Sequence, residues 1–248
     1  MPLDELINKF EPISLEQMDQ VKLMNRTDRK FWCKASLLPT LLESVCNDYY
    51  LLEINGKRNL PYSTTYFDTT EDEMYNNHHR GKKNRYKIRR RNYVSTQSSF
   101  LEIKFKSNKG RTIKQRIDSD YQSNEFNTED KIFIKNNTPY SCDQLHFVLM
   151  NGFLRMMLVS KSFNERCTID TNLRFESSSS SASLEDLAII EIKSEGHGFS
   201  QLISALSNKR LKPSGFSKYC IGRSMIDNTL KINRFKNKHR QINKSCGL

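Results

Sequence analysis

Seven consecutive residues, Arg85-Tyr86-Lys87-Ile88-Arg89-Arg90-Arg91, constrain this chain more than any other stretch. Side chains alternate along an extended strand, so Arg85, Lys87, Arg89 and Arg91 share one face, while Tyr86 and Ile88 share the other. A helix would scatter those cations around its axis, and an ordinary surface strand would set acids among them against like-charge repulsion. The pattern recurs. In Phe100–Lys106, Glu102, Lys104 and Lys106 share a face with Phe100, opposite Leu101, Ile103 and Phe105. After an Asn108-Lys109-Gly110 turn, Thr112, Lys114 and Arg116 share a face opposite Ile113 and Ile117. Three consecutive strands are expected, each with a cationic side and a mostly apolar side.

Helices or a second sheet must cover the apolar side. The basic side then either faces solvent or is wrapped inside a closed sheet. A wrapped basic interior is costly unless it is wet and holds a polyanion, because an unpaired buried charge loses its hydration. Spacing alone leaves both arrangements open.

The chain has 248 residues with 40 Lys and Arg against 28 Asp and Glu, a net charge of +12. That balance points to an acidic partner: nucleic acid, a membrane surface or a phosphate-rich molecule. Part of the excess is peripheral, since Lys231–Leu248 contains six Lys or Arg and no acid, which reads as a flexible basic arm. The six cysteines, Cys33, Cys46, Cys142, Cys167, Cys220 and Cys246, show no CxxC or metal-type spacing and read as reduced, mostly buried thiols. No signal region or membrane-length apolar run is present, so a soluble cytoplasmic protein is expected.

Along the chain, residues 1–24 have helical spacing, and Ser14-Leu15-Glu16-Gln17 reads as a capping box opening a second short helix, placed as a lid. Arg26, Arg29 and Lys30 precede Phe31-Trp32 in an expected strand, with Trp32 read as core. Ser36–Cys46 predicts an amphipathic helix, and Tyr49–Ile54 and Ser63–Asp68 predict strands around an Asn55-Gly56 turn. Glu71–His79 predicts a short polar helix or loop in which adjacent His78 and His79 point apart, favouring a solvated loop over a paired metal site. Ser119–Lys135 is expected to flank the sheet, Cys142–Gly152 to be a helix, and Phe153–Val159 and Glu165–Asp170 to be strands. Ser177–Ser183 predicts a loop, Leu187–Lys193 a strand, Phe199–Leu206 a helix, Lys212-Pro213-Ser214-Gly215 a turn, and Phe216–Ile226 leads into a final helix. In Leu187–Lys193, Glu191 and Lys193 share a face; by spacing Glu191 suits either a salt bridge or a hard divalent ion carrying phosphate.

Lys30-Phe31-Trp32, Arg89-Arg90-Arg91-Asn92-Tyr93, Phe100-Leu101-Glu102-Ile103-Lys104, Lys114-Gln115-Arg116, Arg166 with Ile169-Asp170-Thr171, Glu191-Ile192-Lys193 and Phe216-Ser217-Lys218-Tyr219 carry a resemblance, in order, from about Arg26 to Ile226. Together they resemble the catalytic domain of the vacuolar transporter chaperone (VTC) proteins, polyphosphate polymerases among the CYTH-like triphosphate tunnel metalloenzymes. The resemblance implies an α+β fold: a closed antiparallel β-barrel tunnel of about eight strands with a basic lumen, flanked by helices. It divides the chain into an N-terminal helical segment (1–25), a tunnel domain (26–230) and the basic tail (231–248).

The resemblance also implies ATP as phosphoryl donor, a required Mn²⁺ or Mg²⁺, and a growing polyphosphate chain in the tunnel. By position it makes Lys30, Arg89, Arg91, Lys104, Lys114, Arg155, Arg166 and Lys218 phosphate ligands, with Ser217 assisting and Glu191 holding the metal. Lys87 and Arg116, on the same cationic strand faces, join the substrate-binding candidates; Arg89, Arg91, Lys104 and Lys218 are the catalytic ones. The chain departs from the family at Phe153-Leu154-Arg155, where a Tyr-x-Arg is usual, and at Gly215, where some members carry a lysine. No stretch resembles the regulatory SPX domain or membrane helices of eukaryotic members, so synthesis uncoupled from translocation is expected.

The expected reaction is metal-dependent transfer of the ATP γ-phosphate to polyphosphate, releasing ADP. Because the acceptor is already an anionic oxygen, positioning and charge neutralisation suffice and no dedicated base is needed. The alternatives are a tri- or polyphosphatase in the same tunnel and a non-catalytic polyanion or nucleic-acid binder. Nucleic acid is disfavoured because exposed aromatics do not interleave with the basic residues.

Overall fold

The computed structural model describes residues 2–19, 26–121, 123–195 and 199–246. In chain order these contain α1 (Leu3–Ile7), β1 (Glu11–Ile13), α2 (Leu15–Asp19), β2 (Arg26–Lys34), α3 (Leu38–Glu43), β3 (Tyr49–Leu52), β4 (Leu60–Thr69), α4 (Glu73–His79), β5 (Arg85–Tyr93), β6 (Ser98–Lys106) and β7 (Thr112–Asp118). There follow α5 (Thr128–Asn137), β8 (Leu145–Ser160), β9 (Glu165–Glu176), β10 (Ser181–Leu184), β11 (Leu187–Glu195), α6 (Gln201–Asn208), α7 (Lys218–Ile226) and α8 (Lys236–Cys246).

The strands build one α+β sheet in the order β2-β11-β9-β8-β4-β5-β6-β7, antiparallel throughout that path. β3 joins β8 and pairs in parallel with β1, and β10 joins β9. The basic segments fold as their alternation requires, with Arg89 opposite Glu102 and Glu102 opposite Arg116 in register. A closed barrel is not what forms. The path ends at β2 and β7, which do not pair among the described residues, so the sheet is open. β7 accounts for this physically: it is a short, exposed edge strand carrying Lys114 and Arg116, and edge cations discourage further pairing.

The open sheet nevertheless curls. Lys30 on β2 depresses the Lys87 ammonium on β5, and Lys104 on β6 acts on the Glu191 carboxylate of β11. Each pair is five strands apart, about 24 Å across a flat sheet at ordinary strand spacing, too far for such coupling. The sheet therefore bends toward the face that carries these charges.

The outward face is apolar. Phe31, Met156, Leu158, Cys167, Ile169, Ile190 and Ile192 pack with α1, α3 and α6, while Ile88, Leu101 and Ile103 pack with Met74 of α4 and Ile134 of α5. A third cluster lies largely on the inward face: Tyr62, Tyr66, Leu149, Phe153, Phe175 and Ile189 pack against Tyr219, Cys220 and Ile221 of α7 and Ile242 of α8. No helix of the described residues is long and apolar enough to cross a membrane.

Several local expectations are corrected. Cys142–Gly152 is not a helix: from Leu145 it belongs to β8, a central strand whose apolar run has no clean alternation because both faces are covered. Of the helix or loop expected at Glu71–His79 the helix forms, as α4, but its histidines are not in a solvated loop; His79 is buried, stacks with Tyr75 and accepts a hydrogen bond from the Arg234 backbone N–H. The serine run ends in strand β10. The N-terminal stretch contains β1 between two helices, although the Ser14–Gln17 capping box forms as expected; residues 20–25 of that stretch lie outside the described residues. The basic C-terminal stretch, read as an arm, contains α8, whose Ile242 is fully buried.

Candidate functional site

The strand registers decide which cations share a face. Lys30, Glu191, Thr168 and Met157 align across β2, β11, β9 and β8; Arg155 aligns with Asp170 and Leu60; Tyr66, Arg89, Glu102 and Arg116 align across β4 to β7; Lys87, Lys104 and Lys114 align across β5 to β7. All stand on the inward face. Along β5 that face is shielded: Arg89 is 7% exposed and Arg91 9%.

Three carboxylates sit among these cations. Glu102, itself fully buried, accepts from Arg89 Nε at 2.8 Å and Nη2 at 2.6 Å and pairs with the Lys114 ammonium. Asp170 accepts from Arg155 Nε at 2.6 Å and Nη2 at 2.8 Å and also holds the Lys218 ammonium. Burial by itself would raise both carboxyls, yet these cations hold each well below the usual carboxylate range. Glu191 is bound differently. Its oxygens meet ammonium groups only at 3.7 Å (Lys30) and 3.9 Å (Lys193), beyond hydrogen-bond length. Burial opposes its ionisation, but Lys30, Lys193, Arg155 and Lys104 keep its pKa at about 2. It is thus an ionised carboxylate without a close partner of that kind.

The cations crowd one another. The Arg89 charge, then burial and Arg91, bring Lys104 down to about 5, and burial followed by Lys30 and Arg85 brings Lys87 down to about 8. Such depression records a site with more positive charge than its own acids neutralise. Desolvation and Arg89 likewise lower Arg91, which reaches Thr64 Oγ1 at 3.4 Å.

α7 brings the remaining groups in from the chain's C-terminal third. Ser217 caps the helix, its Oγ accepting from the Cys220 N–H at 3.2 Å, and also accepts from Lys87 Nζ at 3.0 Å. The next residue, Lys218, meets Asp170 and lies 4.8 Å above the Phe153 ring. The helix seats because Tyr219 stacks on Tyr66 with ring centres 5.0 Å apart and donates to Asp68, which also accepts from the Met74 and Tyr75 N–H groups.

Of the sequence-predicted residues, Lys30, Lys87, Arg89, Arg91, Lys104, Arg155, Glu191, Ser217 and Lys218 come together on this face. Lys114 joins them through Glu102 from the edge strand. Arg116 shares the face but is exposed on β7, stacked 4.4 Å over Phe100. Arg166 is turned toward α2, donating to the Met18 carbonyl with Asp19 at 3.9 Å. Sequence reading passed over Glu102 and Asp170 as site residues, although each lies two residues from a predicted cation on its own strand face or directly across from one. It also passed over Tyr62, opposite Phe153 in register, stacked on it at 5.4 Å and within the electrostatic reach of Arg155, Arg91 and Asp170.

Comparison with known proteins places this geometry in context. The VTC domain signature matches residues 25–226. Among solved structures, HpAC1 from Hippeastrum, described as having a dominant triphosphatase activity, is similar over 82% of this chain and 96% of its own, at 14% identity and a TM-score of 0.53. A protein from Bacillus halodurans proposed to be an adenylate cyclase is 14% identical over 86% of this chain and 100% of its own, with a TM-score of 0.49. The Hippeastrum likeness is one of fold. No curated protein matches the chain.

Proposed function

Because the chain belongs to the VTC domain family, we propose that it transfers the γ-phosphate of ATP to a growing polyphosphate chain, with the help of Mn²⁺ or Mg²⁺. One observation carries this reading: cations from β2, β5, β6, β8 and α7, separated by up to 188 positions in sequence, converge on one inward face with more positive charge than its acids balance. A linked row of phosphates would supply the missing negative charge.

Arg89, Arg91 and Arg155 offer planar forks suited to paired phosphate oxygens, and Lys30, Lys87, Lys104 and Lys218 offer point charges that follow oxygens as charge moves. Glu102 and Asp170 hold their arginines in fixed directions before substrate arrives, so little reorganisation is left for the reaction itself. Ser217, fixed as the α7 cap, presents a hydroxyl beside Lys87. In-line transfer between phosphates then needs alignment along the face rather than a base.

The donor set fits a hard divalent ion that arrives with phosphate. No cluster of three His, Cys, Asp or Glu forms among the described residues, and Glu191 is an inward carboxylate whose ion pairs, with Lys30 at 3.7 Å and Lys193 at 3.9 Å, are both long. One carboxylate plus phosphate oxygens and water is an ordinary Mg²⁺ arrangement. When bound, the ion would neutralise charge on the triphosphate and its leaving group.

The test is incubation with ATP and Mn²⁺, following polymer, ADP and orthophosphate together. Long polyphosphate with ADP supports the proposal. Orthophosphate alone would make the chain a hydrolase, the activity described for the Hippeastrum protein. Salt-dependent polyanion binding without metal-dependent turnover would make it a binder.

A further inference from the structure

Beyond the span matched by the VTC domain signature, α8 carries a second concentration of positive charge. Phe235, in the turn just before α8, and His239, Ile242 and Cys246 of α8 pack inward: Phe235 and Cys246 join the inward-face cluster, Ile242 is buried, and His239 Nε2 lies 2.8 Å from Ser224 Oγ of α7. Lys236, Arg240 and Lys244 fall at i, i+4 and i+8 and are all exposed. Like charges at that spacing oppose each other along a helix, so the stripe detracts from α8's own stability.

The tertiary fold adds more cations to it. Arg234 donates to the Arg80 carbonyl, which sets the exposed Arg80, Lys82 and Lys83 beside the start of α8, some 150 residues away in sequence. Lys231, Arg234 and Arg80 all act on His79 from this cluster. Neither Arg80–Lys83 nor Lys231–Cys246 contains an acid, and Asp186 acts on the far end of α8, at Cys246.

This surface joins the candidate site through the Arg80–Lys83 loop. Lys238, on the opposite flank of α8 from the exposed stripe, donates to the carbonyl of Gly215, two residues before Ser217, and anchors the helix beside the site. Arg85, at the start of β5 on the same face as Lys87, donates from Nη1 to the Lys82 carbonyl at 2.6 Å. The positive charge therefore continues from the inward face onto the exterior, where the stripe from Lys236 to Lys244 alone runs about 12 Å along α8.

We propose that the surface formed by Arg80–Lys83 and the Lys236, Arg240 and Lys244 stripe of α8 is a docking track for a long inorganic polyphosphate chain leaving or entering the site. The proposal rests on the phosphate-handling reading above and adds a second, external binding segment to it. Continuity with the site favours a thin, flexible, uniformly charged chain over a duplex, which is too wide to follow the charge inward.

The experiment compares the full-length protein with the triple variant K236Q/R240Q/K244Q and, separately, with R80Q/K82Q/K83Q, measuring binding of inorganic polyphosphate of about 100 units, of tripolyphosphate and of a structured RNA at fixed salt. Each variant should lose at least about tenfold in long-polyphosphate affinity, with a shallower salt dependence, and keep tripolyphosphate affinity unchanged. The loop variant guards against unfolding of α8, since its substitutions lie outside that helix. Unchanged long-chain binding in both variants overturns the track. Loss of RNA binding with polyphosphate binding intact overturns it in favour of a nucleic-acid partner. Failure of the parent to bind tripolyphosphate would instead count against the site, while a long-chain loss in the variants would still support the track.

Discussion

Asp170 and Arg155 face each other across β9 and β8 as a two-pronged pair, Oδ1 2.6 Å from Nε and Oδ2 2.8 Å from Nη2. Because the same carboxylate also holds Lys218 of α7, one acid fixes two candidate phosphate ligands from distant parts of the chain.

Asp170→Asn should therefore leave two mostly shielded cations without their counter-charge, at a cost of about 3 kcal/mol. A lowered urea midpoint would register it. Tripolyphosphate should recover more stability in the variant than in the parent, because the ligand replaces the lost charge; equal recovery would mean that Arg155 and Lys218 do not meet phosphate.

Glu191→Gln should leave the fold intact, since the ion pairs it breaks, with Lys30 at 3.7 Å and Lys193 at 3.9 Å, are long, and should remove metal-dependent turnover of ATP. Full activity in this variant, with an unchanged melting profile, would sink the metal assignment.

Arg91→Ala and Lys104→Ala should each lower turnover by roughly 10² or more, the usual effect of removing one preorganised charge contact. Steady-state rates at saturating ATP are the measurement. Arg116→Ala, at the exposed edge, should fall much less.

Lys104, brought down by Arg89 and by burial to about 5, and Lys87, brought down mainly by burial to about 8, set the pH behaviour. Both lie below the 10.5 of a free lysine, so between the folded and unfolded values the unfolded chain binds more protons. Stability of the ligand-free protein should then rise with pH from about 5, first through Lys104 and later through Lys87. A polyanion restores the ammonium forms, so tripolyphosphate binding should take up protons and weaken from about pH 7 to about pH 9. Calorimetry in buffers of different ionisation heat measures the uptake, which Lys104→Met should reduce.

Gly222→Ala would put a Cβ 2.3 Å from Phe175 Cδ1 and 3.0 Å from Leu149 Cδ2, both fully buried. Seating of α7 should loosen at a cost of about 1–3 kcal/mol, read from denaturant unfolding. Because α7 carries Ser217 and Lys218, phosphate affinity should fall with it.

The basic strands were legible because alternation is a local property: Arg85 to Arg91 and Phe100 to Lys106 need only their own sequence to sort their faces. The first half of β8 was not, because its burial on both sides erased the period that distinguishes strand from helix, whereas Phe153–Val159, its second half, was legible as a strand. α8 was obscured by its charge, although Phe235, His239, Ile242 and Cys246 carried a helical spacing throughout. The acids Glu102 and Asp170 were visible as residues, but their part in the site depends on partners from other strands and from α7.

The sequence by itself determined that several strands would each carry one cationic face, and, through segments spread from Arg26 to Ile226, which family the chain belongs to. Only the tertiary structure decided that the sheet stays open between β2 and β7, that it curls enough to couple Lys30 with Lys87 and Lys104 with Glu191, and that Glu191 is left without a close ion pair. Faces follow from backbone alternation within a segment. Curvature, closure and charge pairing depend on how segments far apart in the chain meet, which no local pattern encodes.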